Sequence, residues 1–532
     1  MGALAVLSGL LMSVPYLVPH CGAVALVGLV PLLWAEEIAG RERMRRFWVW
    51  HYLSFVVWNT LATFWVCNAT IGGGIFAILA NSLQMSVVFG LFRLARKHFA
   101  GILPYIFLAT AWIAWERWYM ASAQISWPWL VLGNAFARTT SLIQWYEYTG
   151  ALGGSLWVWA SNIGIFLILR AIVSGTWKNL NAKARVCSQA ALITVLAAPA
   201  LWSSSIYRNY NELKDPLEVA ILQPNIDPYH KFEFLTQKQQ DSILISQIEL
   251  ARTNFASLKP ILLLAPETFT SNLEASDPWT SKTLNSLAGE LEKWPAASII
   301  FGASSYDLSS SRLSPSKTAR AIRDGLWYES HNSALILNPD RQTEIYHKSK
   351  LVVGVEMTPY PGLFTRLDDM LGGVMGRCSG QKERTCLTMR TRDGESIAVA
   401  PVICYESIYG DFCRGYIDAG ARLIAIITND AWWKDTPGYR QHLSYACLRA
   451  IETRRDIVRC GNTGISAFID QRGDVVSRTP WWQKKILHGH ANLNDSRTFF
   501  VEHGDITGRI SVFCFLLLLA ALLARMVCRR KR

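Results

Sequence analysis

The first two fifths of the chain consist of long apolar stretches separated by short polar loops. Seven stretches are roughly long enough to cross a hydrocarbon layer about 30 Å thick as helices, and they lie near residues 3–18, 22–38, 47–66, 72–92, 102–118, 150–172 and 188–206. An eighth, Ile510–Val527, lies near the C terminus. The first stretch lacks the basic leader and the cleavage site of a signal peptide, so we expect it to be retained. The pattern predicts an α-helical membrane bundle of about eight spans.

Residues 209–509 follow a different pattern, in which short runs of Ile, Val, Leu and Ala alternate with polar segments of helical length. This alternation is typical of an α/β domain. The predicted strands are 217–223, 261–266, 298–303, 333–338, 397–403, 422–428 and 464–470. The predicted helices are 236–256, 280–292, 407–420 and 439–453. We therefore expect a membrane domain at 1–208, an α/β domain at 209–509, and a last span with a basic tail at 510–532.

The composition agrees with a membrane protein. Hydrophobic residues make up 51% of the chain and charged residues 17%, which is too apolar for a disordered chain or for a string of soluble domains. Fifteen of the 22 tryptophans precede residue 209, as expected of the aromatic belts at membrane interfaces. Trp127, Trp129 and Trp145, together with Trp432 and Trp433 later in the chain, are candidates for such an interfacial rim or for a lid.

The net charge of +13 would suit a nucleic-acid partner, an anionic surface or basic loops that orient membrane spans. The loops after spans two, four and six and the end of span eight hold sixteen Lys and Arg against three Glu, which accounts for the whole excess. The positive-inside rule places these regions and both termini in the cytoplasm. Residues 209–509 are then extracytoplasmic, and we expect no nucleic-acid partner.

The eleven cysteines include no C-x-x-C pair, so the sequence indicates no zinc framework. Cys378 and Cys386 flank a basic loop. In an oxidising compartment they could form a disulfide or remain two free thiols, and the sequence leaves both alternatives open.

Three predicted strand ends carry groups that can do chemistry. Glu267 follows the run 261–266, Cys404 follows 397–403, and Lys348 lies in a lysine-containing segment after the strand 333–338. Each alone has an ordinary explanation as a solvated strand end, a small buried side chain or a solvated face. A cysteine at a strand-to-helix turn is also expected to have a lowered pKa.

Together these three residues are the components of an acyl-transfer site. The carboxylate of Glu267 can accept the thiol proton, Cys404 can attack a carbonyl carbon, and the ammonium of Lys348 can stabilise the developing oxyanion. A free thiol is only a few per cent ionised near neutrality. The base is therefore needed to supply the nucleophile.

The motifs around these residues resemble the nitrilase superfamily, whose domain is an αββα sandwich. They are A-P-E ending at Glu267, Y-x-K-x-x-L-V around Lys348 and I-C-Y-E around Cys404. With seven spans before the domain and one after it, the chain is similar to the apolipoprotein N-acyltransferase family, which completes bacterial lipoprotein maturation. Further matching stretches are 127–133, 144–150, 219–225, 428–432, 441–442, 449–452 and 462–466.

The resemblance implies a role for each matching position. It makes Glu267 the general base, Lys348 the oxyanion-stabilising group and Cys404 the nucleophile that accepts the acyl chain. The supporting or substrate-binding positions that it implies are Glu356, Tyr405, Glu406, Phe232 and Trp432. The sequence departs from the family's pattern at Phe232, where a tryptophan is familiar, and in the segment before Glu356, which lacks a proline. We expect the loop that contains Trp432 and Trp433, together with the segment 121–148, to shield the thioester from water.

The implied reaction transfers a fatty acyl chain from a phospholipid through a thioester on Cys404 to the amine of a lipoprotein's diacylglyceryl-cysteine. It is a ping-pong reaction that needs no metal or organic cofactor. The resemblance further implies a monomer in the bacterial inner membrane whose catalytic domain faces the periplasm.

Two other classes of protein remain open at this point. A membrane-tethered amidase or nitrilase would use the same three residues with water as the acceptor, but seven preceding spans exceed what tethering requires. A transporter or noncatalytic membrane scaffold would leave the spacing of the three residues unexplained.

Overall fold

The computed structural model describes residues 1–228, 231, 234–255, 259–360, 376 and 378–530. The chain forms two compact units. One, the helical unit, comprises Met1–Tyr210 and His503–Arg532, and the other, the α/β unit, comprises Asn211–Glu502.

The helices are numbered in chain order over the described residues. The first ten are α1 Gly2–Leu17, α2 Ala25–Gly28, α3 Val30–Arg41, α4 Trp48–Thr63, α5 Ile71–His98, α6 Leu103–Ala121, α7 Tyr146–Thr149, α8 Ala151–Val173, α9 Thr176–Asn179 and α10 Ala182–Asn209. The others are α11 Gln237–Phe255, α12 Lys282–Glu292, α13 Gly410–Asp418, α14 Pro437–Thr453, α15 Phe499–His503 and α16 Ile506–Arg530.

Several helices of the helical unit fit a membrane protein. Within the described ranges, the helical stretches that are long and apolar enough to cross a membrane are Gly22–Arg41, Ile71–His98, Ala151–Val173, Ala182–Asn209 and Ile506–Cys528. The other predicted spans are also helical, as α1, α4 and α6. However, α1 and α4 have only 16 residues each. The total of about eight spans therefore stays a prediction.

Described residues from each of the four basic regions meet at one end of the helical unit, where ion pairs and hydrogen bonds connect them. The bonds are Arg93 to the Met44 carbonyl, Arg96 to Glu36, Arg96 Nη2 to Glu37 Oε2 at 2.7 Å, Arg170 Nη1 to Glu37 Oε2 at 3.6 Å, and Arg525 Nη1 to the His98 carbonyl at 2.8 Å. This common end is what the charge pattern requires of loops on one side of a membrane.

In the helical unit, the tryptophans proposed for an interfacial rim contribute to the interior instead. Trp129 is fully buried, stacked on Trp127 at 5.1 Å and edge-on to Trp65 at 4.7 Å. Trp145 is also buried and packs edge-on against Trp157. The prediction of a rim is wrong for Trp129 and Trp145, because aromatic packing within the unit covers their rings.

Two sheets form the α/β unit. The first sheet has the order β14-β1-β2-β4-β6-β5, with β3 on β4 and β7 on β6. Its strands are β1 Pro216–Gln223, β2 Ile261–Leu264, β3 Thr270–Glu274, β4 Ala297–Ser310, β5 Arg320–Arg323, β6 Leu326–Leu337, β7 Thr343–His347 and β14 Lys485–Asn492. The second sheet has the order β13-β12-β11-β10-β9-β8. Its strands are β8 Leu387–Arg390, β9 Ser396–Ile403, β10 Leu423–Thr428, β11 Ile457–Gly461, β12 Ala467–Ile469 and β13 Val475–Arg478.

The central strands of both sheets are parallel and buried. In the first sheet β1, β2 and β4 run parallel, and in the second β9, β10 and β11 do. Every residue of β10 is buried, as expected of a strand covered on both faces. On the outer face of the first sheet, α11 and α12 pack their apolar side chains against β1, β2 and β4.

The four helices predicted in the α/β unit are present as α11 to α14, and the seven predicted strands are present as β1, β2, β4, β6, β9, β10 and β12. The sequence pattern missed β3, β7, β8 and β14, and it missed the short strands β5 and β13, whose residues are mostly exposed. It also missed β11, where Arg459 interrupts the apolar run. Burial of that arginine depends on a partner from another strand end, which periodicity does not reveal.

Candidate active site

The ends of three strands bring together the three residues singled out by the sequence. Glu267 follows β2 and Lys348 follows β7 of the first sheet, while Cys404 follows β9 of the second. Glu267 is buried and Lys348 is only 1% exposed. The site therefore combines a carboxylate, an ammonium and a thiol where water has little access.

The ammonium of Lys348 joins two carboxylates. Its Nζ lies 3.2 Å from Glu267 Oε1 and 2.8 Å from Glu356 Oε1. Burial alone would lower the pKa of Lys348, but the charges of Glu267 and Glu356 raise it well above its ordinary value. An ammonium has three N–H donors. Two are directed at these carboxylates, which leaves one for a substrate oxygen.

Asn332 links the same two carboxylates. Its Nδ2 donates to Glu267 Oε1 at 2.8 Å and to Glu356 Oε1 at 2.7 Å. The second oxygen of Glu356 accepts from the Val352 N–H at 2.8 Å. Sequence reasoning missed Asn332. The available signal was a polar amide immediately before the predicted strand 333–338.

Cys404 adopts a strained backbone conformation, with φ of 50° at the start of the 3₁₀ turn Cys404–Ile408. Desolvation raises the pKa of its thiol, Glu267 raises it further, Lys348 lowers it and Asp430 raises it. The net direction is upward, so the expectation of a lowered pKa is wrong. A single short turn replaces the expected helix N terminus, and burial and the carboxylates outweigh the ammonium. The resting Cys404 side chain is therefore a neutral thiol, which would need a base to act as a nucleophile.

Glu406 connects the turn after β7 with the turn after β9. Its Oε1 accepts from the Tyr346 hydroxyl and the Ser349 N–H, both at 2.7 Å, and its Oε2 accepts from the Ile403 N–H at 2.9 Å. Burial raises the pKa of Glu406 to about 7, although these hydrogen bonds oppose the shift. Glu406 thus positions the backbone that carries both Lys348 and Cys404.

A second buried network holds the carbonyl group of Cys404. His442 Nε2 lies 3.0 Å from that oxygen, and because a carbonyl only accepts, the ring nitrogen donates. His442 Nδ1 lies 2.9 Å from Asp430 Oδ1, and Arg459 Nη2 lies 2.6 Å from Asp430 Oδ2. Burial alone would raise the pKa of Asp430, but Arg459 and His442 hold it well below its usual range. The matching stretches 428–432 and 441–442 therefore support the nucleophile turn.

Glu267 is fixed from two directions. Its Oε2 accepts from the Asn429 N–H at 3.1 Å. On β4, a Cβ added to Gly302 would lie 2.5 Å from the Thr268 nitrogen and 2.6 Å from the Glu267 Cα, so only glycine allows this close approach.

Lys231 is a further buried cation beside this segment. Its Nζ lies 3.2 Å from Thr268 Oγ1 and 3.5 Å from the Glu267 carbonyl oxygen. Burial lowers the pKa of Lys231 to about 7, while the charge of Glu267 opposes the shift. No pattern in the sequence distinguishes this lysine from a solvated one.

The remaining predicted positions are placed as follows. Tyr405 is buried and its ring is edge-on to that of Tyr409, with centroids 5.3 Å apart. Trp432 is half-buried in the 3₁₀ segment Asp430–Trp433, directly after β10. Phe232 lies outside the described residues.

The two cysteines whose pairing the sequence left open are free thiols in the structure. Cys378 Sγ lies 3.9 Å from the Ser330 hydroxyl, and Cys386 Sγ lies 3.6 Å from the Tyr416 carbonyl oxygen. Of the two alternatives, the structure has the unpaired thiols.

Comparisons with known proteins give a separate match for each unit. Residues 8–164 match the family described as Apolipoprotein N-acyltransferase N-terminal domain, and residues 259–499 match the family described as Carbon-nitrogen hydrolase. The second match confirms the nitrilase-like fold predicted for the α/β unit.

Two similar proteins align over almost the full length of the chain. An Apolipoprotein N-acyltransferase from Chlorobaculum tepidum is 28% identical over 99% of this chain and 97% of its own length. One from Geobacter metallireducens is 26% identical over 94% of this chain and 91% of its own length. Among solved structures, Saccharomyces cerevisiae Nit3, a member of branch 10 of the nitrilase superfamily, is 16% identical, with a TM-score of 0.34 over 53% of this chain and 92% of that chain.

Proposed function

The chain belongs to the apolipoprotein N-acyltransferase family, and on this premise we propose that Cys404, Glu267 and Lys348 carry out its acyl transfer. The protein transfers a fatty acyl chain from a phospholipid to the N-terminal amine of the diacylglyceryl-cysteine of apolipoproteins. The observation that carries our assignment is the ammonium of Lys348, held between Glu267 and Glu356 at the strand ends that also present Cys404.

The first half-reaction loads the acyl chain onto the protein. Glu267 takes the thiol proton as Cys404 Sγ attacks the ester carbonyl carbon of the phospholipid. The remaining N–H of Lys348 stabilises the oxyanion, and such donors contribute several kcal/mol in a site with little water. The ester C–O bond then breaks, and Glu267 returns the proton to the leaving lysophospholipid oxygen. The product is a thioester on Cys404.

The second half-reaction uses the same groups in reverse order. The free amine of the apolipoprotein attacks the thioester carbonyl, and Glu267 accepts the proton that the amine loses. The C–S bond breaks, an amide remains on the apolipoprotein, and Cys404 recovers its proton from Glu267. The raised pKa of the Cys404 thiol favours this recovery.

The positions around the triad support the two steps. Asn332 and Glu356 orient Lys348, while Glu406 and His442 fix the backbone of the nucleophile turn. Trp432 lies three residues after Asn429, whose N–H donates to Glu267, and we assign Trp432 to shielding the thioester from water. Trp432→Ala is expected to raise the ratio of hydrolysis to transfer, measured as free fatty acid against acylated lipopeptide.

Mass spectrometry of the intact protein tests the proposed intermediate. Incubation with phospholipid alone should add the mass of one fatty acyl chain to the wild-type protein, and addition of a diacylated lipopeptide with a free amine should remove it. The Cys404→Ala variant should show no adduct. Cys413→Ala is the matched control, because Cys413 is a buried thiol on α13, and it should acquire the adduct as the wild type does.

The same experiment separates acyl transfer from hydrolysis. Loss of the adduct to water at the same rate with and without lipopeptide would favour an amidase-like hydrolase. That alternative is not favoured, because the match to the acyltransferase family extends through residues 8–164 of the helical unit.

We further assign the protein to the bacterial inner membrane as a multi-pass monomer, with the α/β unit in the periplasm and both termini in the cytoplasm. The positive-inside distribution of the basic clusters supports this orientation. The expected acyl donor is a phospholipid, and the expected acceptor is a protein anchored by its diacylglyceryl group. An extracytoplasmic unit can reach both in the outer leaflet.

A further inference from the structure

Three potential metal ligands lie together at one end of the first sheet, and we call them the Asp307–His331–His347 cluster. Asp307 is on β4, His331 on β6 and His347 at the end of β7, three neighbouring antiparallel strands. Their side chains share one face of the sheet, because side chains alternate along each strand. One ligand atom from each residue lies within 4.8 Å of the other two.

His331 presents a nitrogen lone pair to this cluster. The residue is 8% exposed, and its Nδ1 lies 2.8 Å from the Ser379 carbonyl oxygen. Because a carbonyl oxygen can only accept, Nδ1 carries the hydrogen, and in the neutral ring Nε2 is left unprotonated. A backbone carbonyl bound to the other ring nitrogen is the usual partner of a metal-ligating histidine.

His331 and Asp307 lie close together without forming a hydrogen bond. Nε2 lies 3.2 Å from Asp307 Oδ2, yet it has no hydrogen-bond partner among the described residues. A hydrogen on Nε2 would therefore not point at the carboxylate oxygen of Asp307. Two ligand atoms that do not point at each other can still converge on one ion between them.

His347 adds a second imidazole that is held from outside the cluster. Its ring stacks on that of His331, with centroids 4.1 Å apart. Its Nδ1 lies 2.7 Å from Ser333 Oγ, which in turn lies 2.6 Å from Ser305 Oγ. When Ser333 donates its proton to Ser305, His347 donates Nδ1–H to Ser333. The Nε2 of His347 is then free to bind a metal.

We propose that the Asp307–His331–His347 cluster binds a divalent transition-metal ion, with Zn²⁺ as the best match. Two imidazole nitrogens and one carboxylate oxygen are a common zinc ligand set. With bonds of about 2.0–2.1 Å, a tetrahedral ion holds its ligand atoms about 3.4 Å apart, close to the 3.2 Å between His331 and Asp307. The Asp307 side chain is 39% exposed and can adjust. A water molecule completes the coordination.

The proposed ion is separate from the acyl-transfer chemistry. His347 directly precedes Lys348, and Asn332 directly follows His331, so the catalytic and metal-binding side chains leave the strands on opposite faces. The ion would join β4, β6 and β7 and fix the strand end from which Lys348 emerges. Its role is structural, and it does not depend on the proposed catalytic roles.

Zinc binding to the full-length, detergent-solubilised protein without a histidine tag tests the proposal. After treatment with a chelator, the protein is dialysed against ZnCl₂, and bound zinc is measured by elemental mass spectrometry together with the thermal unfolding temperature. We expect one zinc per chain and a rise of several degrees in the unfolding temperature. His331→Gln should abolish both, and Asp307→Asn should weaken binding at least ten-fold.

The matched control replaces another pair of histidines near a carboxylate. His488 and His490 lie on β14, with His490 Nε2 3.9 Å from Glu218 Oε1. The double variant His488→Gln, His490→Gln should bind zinc as the wild type does. When the dialysis is repeated at ZnCl₂ concentrations below saturation, equal zinc content in the wild type and Asp307→Asn, or loss of zinc from the control, would overturn the proposal. Asp307→Asn keeps the test valid if His331→Gln does not fold, because Asp307 is partly exposed.

Discussion

Lys348 and its two carboxylates carry a net charge of −1 while the Cys404 thiol is neutral. Uncompensated charge in a buried site is costly, and the amide of Asn332 compensates by donating to both carboxylates. The arrangement keeps Lys348 protonated and leaves Glu267 available for the proposed role of proton acceptor. A single neutral side chain thereby holds Glu267 and Glu356, the two carboxylates bonded to Lys348, in fixed positions.

Replacement of Asn332 by alanine should therefore slow acyl transfer without preventing folding. Hydrogen bonds to charged groups contribute about 1.5–3 kcal/mol, so we expect kcat to fall roughly 10- to 100-fold, with little change in KM. The measurement is the rate of acylation of a diacylated lipopeptide.

Asn338→Ala is the matched control for this substitution. Asn338 is a buried asparagine immediately after β6, bonded to Ser298 and to the Thr388 carbonyl away from the site. Its loss should lower stability but leave kcat of the folded protein within about two-fold of the wild type. A similar fall in kcat for both variants would contradict the role assigned to Asn332.

The raised pKa of Glu406 predicts a pH-dependent contribution to stability. Its pKa is about 7 in the folded protein and about 4.3 in an unfolded chain. The folded state therefore binds more protons between these values, and the stability contributed by Glu406 is complete below about pH 4.3 and is lost as the pH rises through 7.

Thermal unfolding of the wild type and Glu406→Gln, compared from pH 5 to pH 8, measures this contribution. The glutamine cannot titrate. As the pH rises, the unfolding temperature of the wild type should therefore fall relative to that of Glu406→Gln. A difference that stays constant, or shifts the other way, would exclude the raised pKa.

At the scale of secondary structure, the site is formed by the ends of strands. β2, β7 and β9 deliver Glu267, Lys348 and Cys404, while β4 approaches the Glu267 segment through Gly302. This approach leaves no room for a side chain on β4. The spacing between two strands thus decides where Glu267, the proposed general base, lies.

Gly302→Ala should disturb this contact, since the new Cβ would lie 2.5 Å from the Thr268 nitrogen. Overpacking of this kind costs about 1–3 kcal/mol, and displacement of Glu267 should reduce kcat as well. Gly289→Ala is the control, because Gly289 lies in α12 with open space around its Cα. It should raise stability by about 0.5–1 kcal/mol and leave kcat unchanged. Chemical unfolding and the acylation assay measure both effects.

At the scale of the whole molecule, the excess positive charge is confined to the basic clusters of the helical unit. The basic clusters gather at one end of the helical unit through contacts such as Arg96 with Glu37 and Arg525 with His98. The residues outside these clusters balance in charge. Both facts agree with loops that are retained on one side of a membrane.

Reporter fusions test the orientation proposed for the molecule. Alkaline phosphatase, which is active only outside the cytoplasm, should be inactive when fused after Arg532 and active when fused after Asp495, before the last apolar helix. A green fluorescent protein fusion should show the reverse. Phosphatase activity at Arg532 would place the C terminus in the periplasm and contradict the positive-inside interpretation.

The sequence by itself determined the α/β class of residues 209–509 and the positions of the apolar helices, and it singled out Glu267, Lys348 and Cys404 as the proposed triad. These follow from local periodicity, from charge balance and from short motifs, all of which are properties of neighbouring residues. Which residues lie together in buried contacts, and how those contacts change a pKa, was decided only by the tertiary structure. Asn332 and Lys231 become part of the site, Trp129 becomes part of the interior, and the pKa of Cys404 is raised, because each depends on residues that lie far apart in the chain.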